Sequence, residues 1–418
     1  MKSKKIQTLM IISLLLTISL FASLSNNSFN VNLQVPNVRT FVFNPNAEGE
    51  LVIYTHDSFL TWGLDPTSVK QKAFEDFGLL HDVTVRVQVF SGMVEALNSL
   101  ISQKENPQAD IVIGLDSVMI NRAKDEEILK PITSGVNISS IPTWLIDALD
   151  SEKYLLPIDF GLIAIIFDTE FITTSSYPEL LDLSFDDLIT LFGEDFVLQD
   201  PTLSATGLNF LLYQIIFYEE VLGLEWESWW EEAKDVVTID KSWSDSWARV
   251  FDTKEDHIMV SYGTDPAYND FFNYSSEQNA VIISEDSQEY SWMQIEGIGI
   301  VKGTTNETLS KAYVDYALSN VVQDLIATNN WMFPANSEIE LPPCYDYAIT
   351  IENVTLLNTL VTSAFVGDNY QSWLNTWERL IFGRGTWWIW TLVSAVALVA
   401  AIVITIYVFR RKTKLDIE

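Results

Sequence analysis

Apolar and polar positions along the chain switch repeatedly between a period of two and a period near 3.6. ELVIYT, from Glu50, reads as a strand, and Thr67 to Phe77 as a helix with Val69, Ala73, Phe74 and Phe77 on one side. Val83 to Phe90 returns to strand, Met93 to Gln103 is an amphipathic helix, and ADIVIGLD is a buried strand whose last residues, Gly114 and Asp116, emerge at its carboxyl end. This β-α-β-α-β alternation predicts an α/β fold with a mostly parallel sheet.

After a helical stretch near Asn121 to Glu127 comes YLLPIDFGLIAIIFD, too long and too apolar for an ordinary strand and interrupted at Pro157 to Gly161. Such a segment suits a crossing between two lobes, and GIGIVKG, Gly297 to Gly303, reads as a second crossing. Between them the pattern predicts a helix over Ser184 to Phe192, a turn QDPTLSATG (Gln199 to Gly207) opening a helix from Leu208 to Leu222, and a short strand from Asp256 to Val260. Trp226, Trp229 and Trp230 fall on one helical face in EWESWWEEAK, which marks them as core. Helices over Ala312 to Ser319, Val321 to Asn329 and Ser363 to Leu380 complete the pattern.

The two ends follow a different grammar. Lys2, Lys4 and Lys5 precede an apolar run from about Met10 to Ala22, the signature of a signal peptide or signal anchor over residues 1–25. Residues 26–48 are polar and Asn-rich and read as a linker. Trp387 to Phe409 is apolar throughout and at helical rise spans about 34 Å, enough to cross a bilayer. Trp387, Trp388 and Trp390 stand at its entry, and Arg410, Arg411, Lys412 and Lys414 after its exit place residues 410–418 in the cytoplasm and the body of the chain outside. Residues 346–385 then form a helical region and stalk between the folded body and the membrane.

Charge narrows the partners. With 24 basic against 57 acidic residues the formal net charge is −33, which argues against nucleic acid and leaves a cationic ligand compatible. A single cysteine, Cys344, excludes an intrachain disulfide, and His56, His81 and His257 show no metal-binding spacing. No Walker motif occurs, so any ATP hydrolysis belongs to another chain.

Candidate chemistry concentrates in SYGTDPAY, where Tyr262 and Tyr268 flank a sharp turn, and in KSWSDSW, where Trp243 and Trp247 look exposed. Polar turn residues around aromatics are the pattern of a ligand wall. Asp57 and Asp116, at the ends of two neighbouring strands, are placed to accept hydrogen bonds from a ligand amine or ring NH, or else to cap the structure that follows. Trp331, in NWMFP, sits in a loop held by Pro334.

Taken in order, YTHDSFLTWG, ADIVIGLD, PIDFG, QDPTLSATG, KSWSDSW, SYGTDPAY and NWMFP make the chain resemble the thiamine-binding subunit of bacterial ABC transporters, within the extracytoplasmic solute-binding proteins. The resemblance implies a two-lobed, periplasmic-binding-protein type II (Venus flytrap) fold over residues 49–345, here with a carboxyl-terminal transmembrane helix. Lobe 1 would hold about 49–157 and 300–345, and lobe 2 about 163–292. It implies that His56, Asp57, Trp62, Gly114, Asp116, Ser204, Trp243, Tyr262, Tyr268 and Trp331 surround thiamine or a thiamine phosphate. It further implies a permease and an ATPase as partners, no cofactor and no catalysis. Two departures stand out: His56 replaces the family's usual tyrosine, so a protonated imidazole would repel a cationic ligand, and the turn after QDP lacks the usual basic residue. The residues themselves leave open a receptor for another cationic solute, such as a polyamine or metal chelate, and an enzyme acting on thiamine from the same scaffold.

Overall fold

The computed structural model describes residues 38–274 and 279–383. The stretch expected to be a signal peptide or signal anchor and the apolar run Trp387 to Phe409 with its basic tail lie outside these residues. Among the described residues no helix is long and apolar enough to cross a membrane.

Nine strands make one hydrogen-bonded path: β1 Arg39–Phe43, β2 Gly49–His56, β3 Val83–Phe90, β4 Ile111–Asp116, β5 Leu156–Phe167, β6 Phe196–Gln199, β7 Thr238–Asp240, β8 Ile258–Tyr262 and β9 Met293–Val301. Their spatial order is β1-β3-β2-β4-β9-β5-β8-β6-β7. β2 runs parallel to β3 and β4, and β6 parallel to β7 and β8, so each side of the path is mostly parallel, as the alternation predicts, with β1 an antiparallel edge. The two ends meet at β5 and β9, which pair antiparallel. β5 is shared along its length: Leu156 to Leu162 pairs with β9, and Ile163 to Phe167 with β8. A strand that serves two sheets must be apolar on both faces, and β5 is buried over nearly its whole length.

Helix starts follow local chemistry. Asp65 caps Pro66–Lys70 by accepting the Ser68 N–H at 3.1 Å, with Pro66 in the first turn where it loses no hydrogen bond. Ser204 caps Ala205–Ile216 by accepting the Gly207 N–H at 3.3 Å. Gly207 itself is required by packing, because a Cβ there would lie 2.3 Å from the Gln199 carbonyl oxygen. Trp226, Trp229 and Trp230 are buried as the helical face predicts, and two of their indole N–H groups are satisfied: Trp229 donates to the Phe185 carbonyl at 2.8 Å and Trp230 to Gln214 Oε1 at 3.0 Å.

Two expectations about the ends are corrected. The stretch read as a linker contains β1, which pairs antiparallel with β3 and turns Phe43 onto Phe74 at 5.6 Å between ring centroids. The alternation in RTFVF is itself a strand signal that the surrounding polar composition masks. The stretch read as a stalk contains the helix Ser363–Phe382, whose Trp377 is fully buried edge-on against Trp230 at 5.7 Å. Buried indoles tie this helix into the folded body, so it is not a spacer.

Candidate functional site

The carboxyl ends of β2, β3, β6, β7 and β8 lead into the segments His56 to Trp62, Ser91 to Met93, Leu203 to Thr206, Ser242 to Trp247 and Tyr262 to Tyr268, which converge on one cavity of about 300 Å³. Strand ends at the junction of two sheets are where an α/β fold leaves room for a ligand. His56, Asp57, Trp62, Ser204, Trp243, Tyr262, Tyr268 and Trp331 all line it. Sequence positions spread over more than half the chain are thus brought to one place.

Gly114 and Asp116 do not line the cavity. Gly114 lies beneath it at φ +104°, and an added Cβ would stand 2.6 Å from the His56 ring, so its role is to seat that imidazole. Asp116 is fully buried; Oδ1 accepts the Val118 and Met119 N–H groups at 3.0 Å, and Oδ2 accepts from Asn209 Nδ2 at 3.0 Å. The expectation that it meets a ligand is corrected: the carboxylate folds back on the turn that follows and has no free oxygen. Trp247 is likewise buried, stacked on Trp243 at 5.1 Å, rather than exposed.

The walls are aromatic and their orientations are fixed. Trp243 donates from Nε1 to Ser261 Oγ at 2.7 Å, and Ser261 in turn donates to Asp265 Oδ2. Trp331 adopts φ +56°, a left-handed conformation that costs an indole-bearing residue about 1 to 2 kcal/mol. It is held there by Thr264 Oγ1 donating to its carbonyl and by its own Nε1 donating to the Trp62 carbonyl at 3.0 Å. Its ring meets Tyr268 edge-on at 5.2 Å. Tyr262 bridges the walls, donating from its hydroxyl to Gln294 Oε1 at 2.9 Å with Thr206 Oγ1 at 3.0 Å.

The lining carries Glu296, with two further carboxylates buried beside it. Glu296 on β9 stands in register with Asp116 on β4 and with Asp159 on β5, so three carboxylates lie side by side across three adjacent strands. Asp159 is fully buried, receives Asn330 Nδ2 at 2.7 Å on one oxygen, and has no partner for the other. Burial pushes the Asp116 and Asp159 carboxyls above the usual range, with the Glu296 charge adding to both. Facing them is His56, whose Nε2 lies 3.3 Å from Glu296 Oε2 and whose Nδ1 lies 2.7 Å from Ser58 Oγ. Burial works against its imidazolium, but the charge and hydrogen bond of Glu296 and the charge of Asp57 outweigh it and raise its pKa. No lysine or arginine is among the lining residues. Glu296 and Gln294 were missed in the sequence, although a carboxylate inside the apolar run MQIEGIGIV was a visible irregularity.

Cys344 is buried with Tyr345 and Phe333 away from the lining, and burial raises its thiol pKa, so the cavity holds no activated cysteine nucleophile.

These features define a binding cleft, and residues 106–348 match the family described as bacterial extracellular solute-binding protein; the chain belongs to that family and is a solute-binding protein rather than an enzyme. Among curated relatives it is 28% identical over 335 residues to the thiamine-binding periplasmic protein of Brucella abortus biovar 1 (strain 9-941), covering 79% of this chain and 92% of the relative. It is 26% identical over 339 residues to the protein of the same name from Escherichia coli (strain K12), covering 80% and 94%. A solved periplasmic thiamin binding protein shares the fold with a TM-score of 0.64 at 23% identity, covering 79% of this chain and 96% of that one.

Proposed function

We propose that the cavity binds thiamine, and that the chain presents it from the outer face of a membrane to an ABC permease with its ATPase. The observation that carries this reading is the pairing of aromatic walls with the Glu296 carboxylate in a cavity lined by no lysine or arginine. A permanently charged aromatic ring meets Trp and Tyr faces with roughly 0.5 to 2 kcal/mol each, and its positive charge is the counter-charge for Glu296, the carboxylate of the buried trio that lines the cavity. His56, Asp57, Trp62, Ser204, Trp243, Tyr262, Tyr268 and Trp331 are the side chains assigned to contact. The amino terminus of the helix capped by Ser204 faces the ligand hydroxyl or its phosphate.

The two parallel sheets on either side of β5 and β9 are the two lobes, and the segment Trp387 to Phe409 is the tether that keeps the receptor at its permease. With no lysine or arginine in the lining to pair with a phosphate, unphosphorylated thiamine is the preferred form. Calorimetric titration of the full-length protein with thiamine, its mono- and diphosphate, and spermidine tests the assignment. One-to-one binding of thiamine ahead of the other three is the expected order; tighter binding of spermidine moves the assignment to polyamines, and no saturation up to millimolar thiamine removes it.

A further inference from the structure

A second chamber, of about 260 Å³, lies behind the first between β1, β3 and the helical run that starts at Pro66. His56 and Asp57 form the partition and border both. Because β1 pairs with β3 with Arg39 opposite Val89 and Phe41 opposite Val87, these four side chains share one face of the sheet, and Phe74 covers them from the helix. Phe41, Phe43, Phe59, Phe74, Val87 and Val89 give it an apolar side, and Arg39, His56, Asp57, Thr61 and Lys70 a polar one. Thr55, also in its wall, has a buried hydroxyl with no hydrogen-bond partner.

The charges in this chamber have the opposite sign to those of the first. Lys70 projects its ammonium over the Phe41 ring at 4.4 Å, and among the described residues no carboxylate lies within ion-pair distance of it. Arg39 stands close enough, together with burial, to lower the Lys70 pKa, and its own counter-ion, Asp57, is 3.9 Å away with both side chains about half exposed. Two neighbouring cations with one carboxylate, paired to Arg39 alone, leave an excess of positive charge beside the apolar side of the chamber. In a chain of net charge −33 this arrangement runs against the general balance.

We propose that this chamber binds a small amphipathic anion: a carboxylate between Lys70 and Arg39 carrying a short apolar tail among Phe41, Phe59 and Phe74. The charged head satisfies both cations, and the tail removes from water the apolar surface of Phe41, Phe59 and Phe74. The chemistry separates it from the main cavity, which would reject an anion.

Titration of the full-length protein with sodium hexanoate, against 1-hexanol and hexylamine of similar tail length, tests this. Saturable hexanoate binding at least tenfold tighter than either control is expected. Lys70→Met should weaken hexanoate at least tenfold and Lys70→Arg should restore it, while Thr55→Val separates a role for the hydroxyl from one for the charge. Circular dichroism melts show whether each variant is folded, and Lys70, at the surface end of the chamber, is expected to melt as the parent does. Equal binding of hexanoate and hexanol, no loss in Lys70→Met, or no saturation at all would overturn the proposal.

Discussion

Trp62 and Trp243 meet edge to face across the cavity, with ring centroids 5.1 Å apart and an interplanar angle of 83°. Trp62 follows β2, and Trp243 opens the helix Trp243–Trp247 after β7, at the far end of the strand order. The contact joins the two sides of the cleft, so a ligand that enters must displace it or complete it. An edge-on indole pair leaves one aromatic face open to a flat cation.

Replacing Trp243 by Ala should weaken thiamine binding by about 1 to 3 kcal/mol, the loss of one desolvated stacking face. The protein should remain folded, because Trp247 beneath it keeps its own packing on Phe251 at 4.4 Å. Calorimetry gives the first quantity and a melting curve the second. A variant that unfolds while its folded fraction binds normally assigns Trp243 to the core.

His56 makes binding depend on pH. Its pKa is raised by Glu296 and Asp57 against burial, so the imidazolium persists above the ordinary range near 6.5. A bound cation disfavours that imidazolium, so affinity for thiamine should increase as pH rises through the His56 pKa, with one proton released per ligand in the limit. His56→Tyr should flatten the profile. An affinity independent of pH between 5 and 9 in the parent protein would show that the imidazole does not face the ligand.

Glu296→Gln removes the counter-charge while keeping the shape and a hydrogen bond to His56. Thiamine affinity should fall by about 2 kcal/mol, the scale of a hydrogen bond to a charged group, and the His56 pKa should drop below its ordinary value, because burial is then opposed by no charge but that of Asp57. Imidazole titration by NMR checks the second outcome independently of ligand. An unchanged His56 titration would detach the pair.

Asp265 links the site to stability. Burial pushes its pKa up to about 7, against the hydrogen bonds it accepts from Ser261 and the Tyr262 N–H. The folded state thus holds a proton that the unfolded chain, with an ordinary value of about 3.9, gives up. The contribution is fully present below that ordinary value and is lost as pH rises to about 7. Asp265→Asn cannot titrate, so its stability relative to the parent should improve steadily between pH 4 and 7 in urea unfolding. A constant difference over that range would mean that Asp265 is ionised in the fold.

Much of this was legible because it is local. The edges of Val83–Phe90 and the buried face of Glu227–Ala233 follow from periodicity within a few residues, whereas the helix expected from Leu208 starts at Ala205, where Ser204 caps it. The misreadings are non-local or concern direction. Asp116 and Asp57 both stand at strand ends, yet one carboxylate turns back onto the Val118 and Met119 N–H groups and Asn209, which comes from another helix, while the other lines the cavity. Glu296 acquires its meaning only when β9 pairs with β4 and β5, strands about 130 to 190 positions away in the chain. The aromatic pattern in SWSDSW cannot say that Trp247 is the layer beneath and Trp243 the layer above; the stack between them decides it.

The helix Ser363–Phe382 carries the last expectation. Thr362 caps it by accepting the Phe365 N–H at 3.1 Å, and Trp373 and Trp377 are buried along one face. Trp377 rests edge-on against Trp230, which itself packs on Trp229 at 4.9 Å, so removing it would open a void under the main aromatic cluster. Trp377→Ala should therefore cost about 3 to 5 kcal/mol, as large-to-small changes in a core do. Asn121 Nδ2 donates to the Ser363 carbonyl at 2.8 Å, so the same helix also touches the segment that follows β4. Chemical denaturation of the parent and the variant measures the loss. A stalk helix would leave the midpoint unmoved, and that outcome would return Ser363–Phe382 to the role of spacer between the cleft and the membrane.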